Sequence, residues 1–162
     1  MKKIELTRGY FAIIDDEDVE LVANYSWRVI PTRNTMYAKA YVRGSGRKNP
    51  QQVFMHRLIM DAPKELEVDH INGDGLDNRR ENMRLCSHAQ NLQNQRNDSS
   101  RGSSIYKGVS WSKKDKKWIA QICKEYSNEV LGYFKDEKEA ALAYNEAALD
   151  FFGEFAKINE VE

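Results

Sequence analysis

The spacing of apolar and polar positions divides the chain into readable stretches. Across residues 36–43, Met36, Ala38, Ala40 and Val42 alternate with Tyr37, Lys39, Tyr41 and Arg43, and a period of two predicts a half-buried strand. Residues 43–50 carry glycine, serine and proline and read as a turn; residues 53–60 then resume as an apolar segment. Residues 1 to about 60 thus read as strands and turns, with the acidic stretch 15–20 as a solvated turn or helix start to which no function attaches.

Further along, residues 68–71 form a short strand candidate, followed by Asn72-Gly73 and Asp74-Gly75. Both dipeptides favour turns, because Gly and Asn tolerate positive φ. Residues 82–86 supply a returning strand, and Ser87 with Gln90 three positions on predicts a capped helix running to about Asn97. The polar, breaker-rich residues 98–104 read as a linker. Beyond it lie three strand candidates, 106–111, 117–123 and 129–134, and then a helix capped by Asp136. Its Ala141, Tyr144, Ala148 and Phe151/Phe152 recur at helical spacing, and Gly153 ends it. The expected fold class is α+β.

Composition adds limits. The 162 residues are 41% hydrophobic and 31% charged, a globular balance that suits one ordinary domain or two small ones. No run approaches the roughly 18 apolar residues of a membrane span, and the first residues lack an apolar signal core. A cytoplasmic protein is expected, neither secreted nor membrane-bound. Cys86 and Cys123 stand far apart, which disfavours a disulfide framework and a four-ligand zinc knuckle.

The net charge is zero, but its distribution is uneven. Residues 101–124 hold seven basic residues against Asp115 alone, a net +6, whereas residues 125–162 hold three basic and ten acidic ones, a net −7. A polyanion senses the field within about one Debye length, ~10 Å in moderate salt, so a local basic stripe is compatible with DNA.

The chemistry concentrates in residues 66–97. Phosphodiester hydrolysis needs a water, a base to deprotonate it, and positive charge on the phosphate. Asp69 and His70 are adjacent, so in a strand they point to opposite sides. One division of labour makes His70 the base while Asp69 reaches a metal, and the helix beginning at Ser87 presents Asn91 against the strand pair. Carboxylate and amide oxygens are hard donors suited to Mg²⁺ or Mn²⁺.

These residues form a wider pattern: His56-Arg57-Leu58, Val68-Asp69-His70-Ile71-Asn72-Gly73-Asp74, Leu76-Asp77-Asn78-Arg79, Glu81-Asn82-Met83-Arg84 and Gln90-Asn91-Leu92-Gln93-Asn94. Across roughly residues 50–97 it resembles the phage-type HNH homing endonucleases. The resemblance implies a ββα-metal module, with His70 as general base, Asp69 and Asn91 as metal ligands, and Asn82 as the asparagine bracing the metal loop. It also implies Mg²⁺ or Mn²⁺ as cofactor, double-stranded DNA as partner, and a bacterial or phage-infected host cell. Arg79, Arg80, Arg84 and Arg96 read as a phosphate track, with a solvated face as the plainer alternative. His56 reads as a satisfied structural histidine and His88 as a solvated first-turn residue.

Downstream, Tyr106-Lys107-Gly108-Val109, Trp118-Ile119-Ala120-Gln121-Ile122, Leu131-Gly132-Tyr133-Phe134 and residues 139–148 and 152–159 resemble the DNA-binding domain of plant ethylene-response (APETALA-type) factors. The resemblance implies a three-stranded sheet laid in the major groove with a helix behind it. Its base-reading positions fall on Lys107, Ser110, Ser112, Gln121 and Cys123, a departure that implies retained docking with changed sequence preference. Lys113 and Lys114 read as phosphate contacts or as a solvated turn, and Trp111 as either core or DNA-facing.

The expected organisation is an HNH domain at 1–97 (strand-rich at 1–55, ββα-metal at 56–97), a linker at 98–104, and a DNA-binding domain at 105–160. The expected activity is cleavage or nicking of double-stranded DNA; the alternative is a non-catalytic DNA-binding protein on a degenerate nuclease fold. No protein partner is inferred.

Overall fold

The computed structural model describes residues 1–42, 50–94, 102–124 and 127–162. Arg96, most of the expected linker and, except for Pro50, the turn expected at 43–50 lie outside the described residues. The chain divides into two compact units, Met1–Asn91 and Leu92–Glu162.

The first unit opens with an antiparallel hairpin of β1 (Lys2–Glu5) and β2 (Phe11–Ile14), in which Ile4 faces Ala12. A short helix α1 (Val19–Ala23) buries Val22, whose carbonyl accepts a 3.0 Å bond from the Trp27 indole. Next come β3 (Arg28–Pro31), β4 (Met36–Tyr41) and β5 (Gln52–Phe54), an antiparallel sheet in the order β3-β4-β5. The period of two in β4 places Ala38 and Ala40 in the core.

The apolar segment 53–60 does not continue as one element. After β5 the chain turns directly into α2 (Met55–Ile59), because Met55 and Ile59, four residues apart, both reach the core only from a helix. The reading of residues 1–60 as strands and turns therefore missed α2, while α1 begins at Val19, inside the stretch 15–20 read as a turn or helix start. Both helices are shorter than two turns and carry too few residues to show a helical period.

The second hairpin joins β6 (Glu67–His70) to β7 (Met83–Cys86) antiparallel, with Asp69 opposite Arg84 and His70 opposite Met83. Helix α3 (His88–Asn94) follows. Ser87 and Gln90 cap it reciprocally: the Gln90 amide donates to the Ser87 hydroxyl at 3.3 Å, and the Ser87 amide donates to Gln90 Oε1 at 2.8 Å. Val68 and Met83 from this hairpin share one core with Ala12, Ile14, Val22, Val29, Ala38, Ala40, Met55 and Ile59. Ile14 and Met55 are completely buried, and each such side chain contributes about 1.5–3 kcal/mol of burial energy.

The second unit is a three-stranded antiparallel sheet, β8 (Val109–Ser112), β9 (Lys117–Lys124) and β10 (Ser127–Phe134), in the order β10-β9-β8. The sixteen-residue helix α4 (Glu137–Phe152) packs on all three strands. Its cap is Asp136, whose carboxylate accepts from the amides of Lys138 and Glu139. Ala140, Ala141, Tyr144 and Ala148 form the buried stripe against Val109, Ala120 and Ile122. Strand β8 starts later than the pattern suggested, because Gly108 turns the chain with φ +75°. A Cβ there would sit 2.0 Å from the Tyr144 ring, so only glycine lets β8 and α4 close. Phe151 is not core: it lies outside, beneath Lys124 Nζ at 4.4 Å.

Candidate active site

Four elements of the first unit converge on His70. The β6 strand delivers Asp69 and His70, each 5% exposed. The loop 72–79 bends back through an Asx turn in which the Asp74 amide donates to Asn72 Oδ1 at 2.8 Å. It passes so close to β4 that a Cβ on Gly75 would lie 2.4 Å from the Met36 carbonyl oxygen. Asn82 ties the loop together, accepting from the Asn72 amide at 3.1 Å and donating to the Asp77 carbonyl at 2.8 Å.

His70 Nε2 lies 3.2 Å from Asn78 Oδ1. Around it stand the rings of Tyr37, at 5.8 Å, and His56, at 5.2 Å and edge-on. Burial pulls the His70 imidazole below its usual pKa, opposed by the Asn78 bond and the charges of Asp69, Asp74 and Asp77. His56 is depressed further, to about 3, by burial and then by the neighbouring His70 and Arg57. It stacks on Phe54 at 5.4 Å, and its Nδ1 is buried with no hydrogen-bond partner among the described residues. His56 is thus buried as expected but not satisfied, and it belongs to the wall around His70.

Asp69 receives Arg84, whose Nε lies 2.8 Å and Nη2 2.7 Å from the same carboxylate oxygen. The Asn91 side chain donates to Glu67 Oε2 at 2.6 Å, and His88 Nδ1 lies 2.8 Å from Glu67 Oε1. These two contacts hold Glu67 below the usual carboxylate range, the Asn91 bond most of all. His88 is solvent-exposed but clasped to β6. Glu67 and Asp69 share one face of β6, and α3 brings Asn91 to that face.

Of the arginines expected to form a phosphate track, Arg79, Arg80 and Arg84 each contact a carboxylate. Arg79 is forked onto Asp77 at 2.8 Å from both Nε and Nη2, and it also pairs with Glu81. Arg80 pairs with Asp18 at 2.6 Å and with Glu17. Asp18 is 2% exposed, so the acidic stretch 15–20 is not simply a solvated turn: it anchors the loop that carries Asn78.

In the second unit the strand pleat sorts the candidate DNA contacts. Val109, Ala120 and Ile122 face α4, which places Ser110, Ser112, Gln121 and Cys123 on the opposite sheet face. Trp111 pairs with Trp118 in register, with rings 5.1 Å apart and edge-on, on the helix side at the sheet margin. Lys113 and Lys114 are exposed in the β8–β9 turn, where the Ser112 hydroxyl donates to Asp115 at 2.7 Å. Lys107 lies before β8, its amide donating to Asn159 Oδ1 at 2.6 Å, and burial followed by the charge of Lys157 lowers its ammonium pKa to about 8.

Sequence reasoning missed Asn78 and Glu67. Asn78 sits in a stretch of turn-like residues, where one asparagine looks like another. Glu67 precedes the strand candidate with no motif of its own. Among the described residues, no cluster of three or more His, Cys, Asp or Glu side chains is placed to hold a metal ion, and no helix is long and apolar enough to cross a membrane.

The hairpin, the braced loop and the following helix lie within a recognised class: residues 53–93 match the family model of HNH endonucleases. This part of the chain is thus similar to an HNH endonuclease domain, a likeness that suggests a nuclease. A relative from Acanthamoeba polyphaga mimivirus, described as an uncharacterized HNH endonuclease, is 28% identical over 157 residues, covering 96% of this chain and 78% of that protein.

Proposed function

We propose that the protein is a homing-type HNH endonuclease that hydrolyses phosphodiester bonds of double-stranded DNA with one divalent metal. The reading rests above all on one observation: His70, at the end of β6, is held through Nε2 beside Asp69, with α3 bringing Asn91 to the same strand. His70 takes the proton of the attacking water. Asn82 holds the 72–79 loop in shape beside it.

The donor set suits Mg²⁺ or Mn²⁺. The Asn91 amide nitrogen is committed to Glu67, so the donor left for a hard cation is its oxygen, paired with the Asp69 carboxylate. A metal bound there would polarise the scissile phosphate and stabilise the leaving oxygen. Arg84 neutralises Asp69 and holds its carboxylate in place. Arg79 and Arg80 act as braces of the loop.

The second unit is proposed as the DNA-docking module, in keeping with its likeness to the ethylene-response-factor domain. Its Ser110, Ser112, Gln121 and Cys123 face would lie in the major groove, and Lys113 and Lys114 would meet phosphate. The match to the mimivirus relative runs well beyond residues 53–93, which supports reading the two units as one working protein.

Plasmid nicking tests the proposal. Cleavage should require Mg²⁺ or Mn²⁺ and stop in EDTA, and His70→Ala should lower the rate by about 10²–10⁴ while leaving gel-shift affinity nearly unchanged. Unchanged nicking by His70→Ala removes His70 from its role. The second reading, a non-catalytic DNA-binding protein, draws on the Asp69 carboxylate being already engaged by Arg84. Metal-dependent nicking by the parent protein dismisses it.

A further inference from the structure

We infer that Asn78 is a positioning residue that fixes the protonation pattern of the His70 ring, and that strand β2 enforces it. The inference rests on the reading of His70 as general base.

The end of the Asn78 amide that faces the imidazole decides the pattern. Asn78 is completely buried. One end of its side chain lies 3.3 Å from the Leu76 carbonyl oxygen and 3.7 Å from Met55 Sδ. A backbone carbonyl only accepts, so this end must be the NH₂ group, and the end 3.2 Å from His70 Nε2 must be the oxygen. An amide oxygen cannot donate. His70 therefore carries its proton on Nε2, and Nδ1 is the nitrogen bearing the lone pair that can accept a proton from water.

The main chain keeps Asn78 in place. Its amide donates to the Ile13 carbonyl at 2.8 Å, and the Ile13 amide donates to the Leu76 carbonyl at 2.8 Å. A parallel bridge thus clamps β2 onto residues 76–78. Arg80, two residues on, is secured by Asp18 and by its own amide donating to Asp15 at 2.9 Å. Residues outside the 53–93 match thereby set the orientation of the proposed base.

Two variants and one spectrum test this on the full-length protein. Asn78→Leu keeps the approximate volume and removes the acceptor; Asn78→Asp keeps an oxygen toward Nε2. With Asn78→Leu, kcat should fall about 10²-fold while KM and duplex affinity stay within about twofold, and Asn78→Asp should recover most of kcat. The ¹⁵N spectrum of neutral His70, assigned by its loss in His70→Gln, should show the Nε2–H form in the parent protein and a mixture in Asn78→Leu. A folded Asn78→Leu protein with the parent's kcat overturns the inference, and so does an Nδ1–H spectrum in the parent, which needs no variant to fold. If the parent cleaves nothing under any divalent metal, the nuclease reading fails, while the spectrum still decides the orientation.

Discussion

His56 makes acid the weak point of the first unit. Its imidazole titrates near 3 in the folded chain against an ordinary value of 6.5. Below about pH 6.5 the unfolded chain takes up a proton that the folded chain refuses. The stability from keeping this ring neutral is complete above that pH and drains away as pH falls toward 3. The slope is about 1.4 kcal/mol per pH unit for one such group. Melting temperatures measured from pH 8 to pH 4 should fall steeply, and His56→Phe, which keeps a ring against Phe54, should flatten the fall. An equal fall in the variant would mean that another group carries the acid sensitivity. The His70 imidazole shifts in the same direction, and a general base works when deprotonated, so the acid limb of kcat/KM should lie below the ordinary histidine pKa. Gly108 is a second sensitive point: Gly108→Ala forces a methyl group into the Tyr144 ring and should cost at least about 1–3 kcal/mol in a denaturant melt.

At the scale of elements, the link between β6 and α3 is the most exposed to disruption, because Glu67 alone receives both His88 and Asn91. Glu67→Ala should leave the fold intact but raise the Mg²⁺ concentration for half-maximal nicking about 10–100-fold, as loss of an outer partner of a metal ligand does. An unchanged metal requirement would show that Asn91 needs no such support.

The β6–β7 hairpin and α3 were legible in the sequence because Asn72-Gly73 and the Ser87/Gln90 cap are local signals, each complete within four residues. Strands β8 to β10 and α4 were legible for the same reason. The β1–β2 hairpin was covered only by a general reading of strands and turns, and α1 only by the turn or helix start read at 15–20, while α2 was not legible, since these elements form by packing into a core contributed by distant residues. The destinations of the arginines were equally hidden. Arg80 finds Asp18 across 62 positions, and a sequence shows that a charge exists without showing which carboxylate neutralises it. Asn78 was illegible on the same ground: only its 0% exposure and its contact with His70 separate it from the turn residues around it.

For the whole molecule, a net charge of zero conceals one concentrated basic site. Lys113, Lys114, Lys116 and Lys117 are all exposed on or beside the β8–β9 turn, with Asp115 as the only acid among them. Replacing the four with alanine should weaken duplex binding and flatten the plot of log affinity against log salt by ~0.9 for each phosphate that the variant no longer neutralises. A variant with the parent's affinity and salt slope would move the DNA elsewhere on the protein.

The shared core of the first unit has a further consequence, for how such enzymes can be recombined. A catalytic motif that spans residues 53–93 invites treatment as a portable cassette, ready to be spliced onto a new targeting domain. Here Val68 and Met83 are buried among side chains from β1 through α2, and Asn78 hangs from the backbone of β2. Excised at its family boundaries, the cassette would leave behind much of its own interior. The natural seam for a chimera therefore falls after α3, and the unit of exchange is the whole N-terminal half of the chain.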